Sequence, residues 1–274
     1  MADISKVMAD KGLLDGLTTI AARAAAIILA IPPSTLAQRD KLDRSPVTVA
    51  DEASQAAIFE GLGRLLPGIP VASEEAMAGV SPAEFGPEFL LVDPLDGTRE
   101  LLAGRDEFTV NIALISNGSP RAGVVVAPAR GLIWRGIVGG GAERLALTAD
   151  AGSQTAPKAE AIHTRTWPKR GPVALVSRSH LDPATEAYIA QLKPTELIGC
   201  GSSLKFCQLA EGAADLYPRL AETSEWDVAA GHAVLAAAGG TVIAPDGRPL
   251  SYGQSGFRIP AFIAWGDRTA ARAC

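Results

Sequence analysis

Apolar and polar positions change their period several times along the chain, and each change predicts an element. From Asp15 to Ile31 alanine and leucine dominate with no glycine after Gly16, which predicts a helix stopped by Pro32-Pro33, because proline cannot continue one. A short β-branched run at 47–49 comes next, and Asp51 then opens a helical pattern through Leu66, with Ala53, Ala57, Ile58 and Leu62 at helical spacing. Phe89-Leu90-Leu91-Val92 is a continuous apolar run too short for a helix, so it predicts a buried strand that delivers Asp93 at its end. Thr109 to Ile115, Ala122 to Val126 and Leu132 to Val138 predict three further strands. Asn117-Gly118 and Arg130-Gly131 separate them, and connections this short imply an antiparallel meander.

After a glycine break at 139–141 and a polar stretch through Arg170, helical and strand patterns alternate. Strands are predicted at Val173 to Val176, Glu196 to Ile198, Ala214 to Tyr217 and Thr241 to Ile243. Helices are predicted at Pro183 to Leu192, Ser202 to Glu211 and Asp227 to Ala238. The change of pattern divides the chain into an N-terminal α+β region, residues 1–145, and a C-terminal α/β region, residues 146–274. The expected fold class is α/β (α+β).

With 274 residues, 47% of them hydrophobic, the chain is long and apolar enough to bury a large core. A net charge of -5 argues against a protein that grips nucleic acid by neutralising many phosphates, and leaves a small charged ligand open. Cys200, Cys207 and Cys274 form neither a disulfide framework nor a zinc-spaced pair, which fits free thiols in a cytoplasmic protein. The apolar stretch from Leu17 to Ile31 is broken by Arg23 and is shorter than the roughly 20 residues a bilayer needs. Asp3, Asp10 and Asp15 precede it where a signal peptide would be basic. It reads as a buried amphipathic helix, so no integral membrane segment is expected, and the chain is expected to be a monomer or homodimer.

Asp93-Pro94-Leu95-Asp96-Gly97-Thr98 is the densest chemical signal. Two carboxylates three residues apart repel each other unless a hard cation bridges them, and magnesium prefers oxygen ligands. The Leu95 carbonyl stands between them, and Gly97 and Thr98 begin the next helical turn with free N–H groups suited to a phosphate. Alone, the hexapeptide reads equally well as an Asp-Gly turn with a capping aspartate. Two other places add acids at the ends of elements: Ser73-Glu74-Glu75 after the strand-like Pro70 to Ala72, and Glu225-Trp226-Asp227 opening a helix. An acidic helix start is also an ordinary dipole-compensating cap.

These residues resemble a known family. Asp93-Pro94-Leu95-Asp96-Gly97-Thr98, and Trp226-Asp227 followed by Ala229-Ala230 and Ala238-Gly239-Gly240, look like the two signature motifs of the inositol monophosphatase superfamily. Within it the chain is most similar to the CysQ-type 3'(2'),5'-bisphosphate nucleotidases. That similarity runs through Ser45-Pro46-Val47-Thr48-Val49-Ala50-Asp51, Glu107-Phe108-Thr109-Val110-Asn111-Ile112-Ala113 and Gly201-Ser202-Ser203-Leu204-Lys205-Phe206-Cys207, from about Lys41 to the end. The resemblance implies a layered α-β-α-β-α sandwich and a phosphatase using two to three Mg2+ ions. Glu74, Asp93 and the Leu95 carbonyl would hold one ion, and Asp93, Asp96 and Asp227 a second. A third, weaker ion near Glu74 would help carry the nucleophilic water, which Asp51 and Thr98 would orient.

For the substrate, the resemblance points to adenosine 3',5'-bisphosphate, hydrolysed to AMP and phosphate. Ser202 and Lys205, spaced Ser-x-x-Lys on one helical face, would grip the phosphate that is not cleaved; a solvated lysine after a cap is the plainer reading. His180 aligns with a histidine near the adenosine in that group, and Arg219 fits a phosphate-facing arginine, although a surface histidine and a paired surface arginine would look the same. Cys207 is expected to be an inert buried thiol, and His163 and His232 are assigned no role. The competing readings are a phosphatase of the same superfamily acting on inositol phosphates or fructose 1,6-bisphosphate, and a metal- or phosphate-binding regulatory protein without turnover.

Overall fold

The computed structural model describes residues 9–36, 39–40, 46–76, 82, 85–148 and 158–272. Asp3, Lys41, Ser45 and Cys274, named above, lie outside them. The helix α1 (Lys11–Ala30) is followed by the two-residue strands β1 (Arg39–Asp40) and β2 (Pro46–Val47), and then by α2 (Val49–Leu65). β3 (Val71–Ser73), β4 (Glu88–Asp96), the short helix α3 (Thr98–Leu102), β5 (Thr109–Ser116), β6 (Ser119–Ala127), β7 (Leu132–Ile137), β8 (Gly141–Ala146) and β9 (Glu160–Ile162) come next. The remainder is β10 (Val173–Ser177), α4 (Pro183–Leu192), β11 (Glu196–Cys200), α5 (Leu204–Ala210), β12 (Leu216–Arg219), β13 (Thr223–Ser224), α6 (Glu225–Ala237), β14 (Thr241–Ile243), β15 (Arg258–Ile259) and β16 (Phe262–Trp265).

Strands β3 to β9 form a seven-stranded sheet in chain order, with β3 parallel to β4 and every later pairing antiparallel. The expected meander β5-β6-β7 is its centre. β9, from beyond the glycine break, completes the sheet. A five-stranded sheet has the order β11-β10-β12-β16-β14.

Alternation along β4 explains why its sequence shows no polar face. Leu90 and Val92 pack with α1 and α2, and Phe89 and Leu91 pack on the opposite side in the core shared with α5 and α6. A sheet covered on both faces needs apolar residues at every position. On the second sheet, Leu175, Tyr217 and Phe262 face that same inner core, while Ala174 and Val176 pack against Ile189 of α4. The layers are therefore α1 and α2, the first sheet, α5 and α6, the second sheet, and α4. This is the expected α-β-α-β-α sandwich.

Several elements differ from the sequence reading. α1 begins at Lys11 rather than Asp15, because the Asp10 carboxylate accepts from the Leu13 N–H at 2.8 Å and caps the helix earlier. At 20 residues it is long and apolar enough to cross a bilayer, contrary to the expectation from Leu17 to Ile31. Half of it is buried inside the protein, however, where Leu17, Ala21, Ala24 and Ala25 pack on the first sheet. Arg135 of β7 reinforces this docking by donating to Asp15 Oδ1 at 2.6 Å. β8, β9 and β16 carry short or mixed patterns that local periodicity passes over. The helix expected from Ser202 starts only at Leu204, because Ser202 has a left-handed backbone with φ 48°.

Candidate active site

The site begins at an irregularity in β4. The strand pairs with β5 in register as far as Asp93 opposite Asn111, then slips so that Asp96 faces Thr109. Pro94 and Leu95 occupy the bulge, where a residue without an N–H breaks no ladder bond. The bulge is pinned from both sides: Ser54 of α2 donates its hydroxyl to the Pro94 carbonyl at 2.7 Å, and the Leu95 N–H donates to Asp93 Oδ1 at 3.0 Å. Gly97 then turns the chain into α3 with φ 96°. A Cβ there would stand 2.9 Å from the Glu107 carbonyl oxygen, so glycine is required on both counts.

Asp51 sits at the third position of α2, which starts at Val49 rather than at Asp51 itself. Thr48 is the N-cap, and Asp51 Oδ2 accepts from both the N–H and the hydroxyl of Thr48 at 2.7 Å, closing a capping box. Its other oxygen, Oδ1, accepts from the Thr98 hydroxyl at 3.0 Å. Burial pushes the Asp51 carboxyl above its ordinary range, against the pull of the bonds from Thr48 and Thr98. Glu74 follows β3, and its N–H continues the pairing by donating to the Val92 carbonyl at 3.3 Å. Asp227 occupies the corresponding capping-box position of α6, where it accepts from the Thr223 hydroxyl and from the Ser224 N–H.

Glu74, Asp93, Leu95, Asp96, Gly97, Thr98 and Asp227 all line one cavity of about 280 Å³. The carboxylates there act on one another. Burial raises the Asp93 carboxyl well above its ordinary range, and Glu74, Asp96 and Asp227 push it further. Asp96 is raised to about 7 by burial and by Asp227, against the opposing effects of Lys205 and of the Ser203 N–H, which bonds Asp96 Oδ2 at 2.7 Å. Among the described residues no three acidic, histidine or cysteine side chains converge on one ligation point as they stand. The donor set nevertheless fits a hard divalent cation: oxygen atoms only, crowded with negative charge that a cation would relieve.

Basic side chains also line this cavity. Arg219, His180, Lys205 and Ser202 line the same cavity, as do Arg99 and Arg258, which the sequence reading did not single out. Arg219 is part-buried; its Nε is buried without a partner, while Nη2 donates to the Glu222 carbonyl at 3.4 Å. The His180 imidazole is held below its ordinary pKa by burial and by Arg219 and Arg99. Lys205 is not a solvated lysine. Its Nζ donates to the carbonyls of Cys200 at 3.1 Å and Ser202 at 2.5 Å, and it stands 5.0 Å from the centre of the Tyr217 ring. Ser202 and Lys205 are not on one helical face, since Ser202 precedes α5, yet the lysine reaches back to the Ser202 backbone and both border the cavity. Arg99 directly follows the Gly97-Thr98 turn and could have been found from it. Arg258 could not: it reaches the site through the pairing of β15 with β13, opposite Ser224.

The sequence model of the inositol monophosphatase family matches residues 11–273. The chain belongs to the inositol monophosphatase family. The family member CysQ of Escherichia coli K12, a 3'(2'),5'-bisphosphate nucleotidase, is 44% identical over 223 residues, covering 81% of this chain and 86% of the relative. The CysQ of Buchnera aphidicola, with the same description, is 38% identical over 78% of this chain and 77% of its own length. Among solved structures, CysQ from Bacteroides thetaiotaomicron, described as a bacterial member of the family, superposes with a TM-score of 0.82 at 36% identity and covers 95% of this chain and 99% of that one.

The remaining candidates fall outside this chemistry. The Cys207 thiol is fully buried and burial pushes its pKa well up, so it is inert, as expected. His232 is buried, bonded through Nδ1 to the Tyr252 hydroxyl at 2.8 Å, and depressed to about 4 by burial, so it stays neutral. Trp226 packs beside Phe257 with ring centres 6.1 Å apart, next to Asp227 in sequence. His163 is exposed and does not line the cavity.

Proposed function

We propose that this chain is a magnesium-dependent 3'(2'),5'-bisphosphate nucleotidase that hydrolyses adenosine 3',5'-bisphosphate to AMP and phosphate. The observation that carries this reading is one cavity lined both by the carboxylates of Glu74, Asp93, Asp96 and Asp227 and by basic side chains that include Arg219, whose Nε is buried without a hydrogen-bond partner. A substrate with one phosphate to break and a second to anchor matches both halves.

In this reading Glu74, Asp93 and the Leu95 carbonyl would hold one magnesium ion, Asp93, Asp96 and Asp227 would hold a second, and Glu74 would serve a third, weaker one. When bound, these ions supply a water acidified near neutral pH and positive charge against the phosphoryl oxygens. Asp51 polarises the Thr98 hydroxyl, whose remaining lone pair orients the attacking water. The N–H groups of Gly97 and Thr98 face the reacting phosphate at the start of α3. Arg219 and His180 hold the rest of the nucleotide, and the Ser202 loop, which Lys205 fixes, grips the phosphate that is not cleaved.

The test is phosphate release from adenosine 3',5'-bisphosphate and from inositol 1-phosphate, side by side in magnesium. The expected result is much faster turnover of the nucleotide, blocked by chelator and by lithium or calcium. Equal or faster turnover of inositol 1-phosphate sinks the nucleotidase reading and favours the inositol phosphatase one. No turnover of any phosphate ester favours a regulatory protein.

A further inference from the structure

The segment Glu107 to Ala113, one of those that resemble the nucleotidase group, does not itself line the cavity. Glu107, two residues before β5, is buried and does not line it. Its carboxylate instead reaches across to the second half of the chain. Oε2 accepts from the Gly201 N–H at 2.8 Å and from Arg178 Nε at 2.8 Å, and Oε1 accepts from Arg178 Nη2 at 2.7 Å. Arg178 Nη2 also donates to the Gly199 carbonyl at 2.6 Å. A two-pronged arginine pair of this kind fixes direction as well as distance.

The loop held in this way is the one that carries Ser202. On one side of Ser202, Gly201 is bonded to Glu107; on the other, Ser203 donates its N–H to Asp96 Oδ2 and its hydroxyl to Asn111 Oδ1, each at 2.7 Å. Between these two anchors the Ser202 backbone is held left-handed, with its carbonyl turned to Lys205 Nζ. Gly201 is seated so closely that a Cβ would come within 2.9 Å of the Glu107 carbonyl oxygen. Glu100 does the same for the neighbouring loop, accepting from the Ser179 hydroxyl at 2.6 Å beside His180.

We propose that Glu107 is a positioning residue for substrate, acting through Arg178 and Gly201 to hold the Ser202–Lys205 loop where it grips the phosphate that is not cleaved. The inference rests on the nucleotidase reading for the identity of that phosphate, but not for the clamp. Glu107→Gln keeps the size of the side chain and loses the ion pair. In the full-length enzyme with magnesium it should raise KM for adenosine 3',5'-bisphosphate about tenfold with kcat nearly unchanged. It should leave kcat/KM for adenosine 3'-monophosphate, which lacks the second phosphate, within about twofold. Arg178→Met should reproduce the effect and the double variant should be no worse, as for two residues acting as one unit. Arg178→Lys, which keeps the charge, should be milder and guards against a variant that fails to fold.

Hydrogen exchange across residues 199–205 gives a readout independent of substrate, and it should quicken in both variants. Unchanged exchange there overturns the proposal, as does an equal loss of kcat/KM on both nucleotides. The wild-type substrate panel by itself tells whether the nucleotidase reading has failed instead.

Discussion

The hydroxyl of Thr98 donates to Asp51 Oδ1 at 3.0 Å, joining the turn after β4 to the first turn of α2. Asp51 spends its other oxygen on Thr48, so one carboxylate both closes a helix end and holds a hydroxyl at the edge of the cavity. Structural and chemical duties meet in this one side chain, and substitution can separate them.

Thr98→Val removes the hydroxyl at nearly constant volume and should lower kcat by about 10² to 10⁴ with little change in melting temperature, as for loss of a proton-relay group. Asp51→Ala should lose similar activity and also about 1 kcal/mol of stability through the capping box. Steady-state kinetics and thermal melts on both variants check this. Because burial raises the Asp51 carboxyl, the acid limb of the rate profile should lie above the ordinary aspartate range, and activity should fall as pH drops through it.

Asp96→Asn should abolish turnover without unfolding the protein. The sign of its pH effect follows from proton binding. In the native protein stripped of divalent cations Asp96 keeps its proton up to about 7, whereas the unfolded chain releases it near 3.8. The native state therefore holds more protons across that window, and its stability falls as pH rises from about 4 to about 7. Denaturation midpoints at pH 5 and pH 8 should show the stripped protein weaker at pH 8, with magnesium restoring it. Asp96→Asn should flatten part of the slope, leaving the shares of Asp93 and Glu225, both also raised by burial.

Arg219→Gln should raise KM for adenosine 3',5'-bisphosphate by about 10- to 100-fold, the scale of a lost charge-assisted phosphate bond, and leave the magnesium requirement unchanged. A matching loss on adenosine 3'-monophosphate would place Arg219 at the reacting phosphate instead.

Gly123→Ala should destabilise the protein by about 1 to 3 kcal/mol, measured by chemical denaturation. The added Cβ would stand 2.5 Å from the Ala230 carbonyl oxygen of α6 and 2.8 Å from the Ala233 side chain, where the helix lies directly on β6. Since α6 carries Asp227, a weaker magnesium response should accompany the loss.

Much of this protein was legible in order along the chain. The run at Phe89 to Val92 read as a buried strand because four consecutive apolar residues leave no polar face to meet water and are too few for a helix. Both signature motifs, and the acids at the ends of β3, β4 and the start of α6, were visible because metal and phosphate chemistry demands particular residue types at fixed local spacing. Periodicity failed where a strand is defined by its partners: β16 is four residues long and exists because β12 and β14 flank it.

What the sequence determined by itself was therefore the inventory: a layered α/β chain, a family, and a set of acids fit for divalent cations. Only the tertiary structure decided which groups share a cavity and which support it from behind. It made Lys205, read as a phosphate-gripping or a solvated lysine, the buried brace of its own loop, brought Arg258 to the cavity, and drew Glu107 against Arg178 and Gly201. The reason is physical. Helix and strand patterns are set by neighbours a few residues away, whereas the field and shape of a site are set by groups that meet only when separate layers pack.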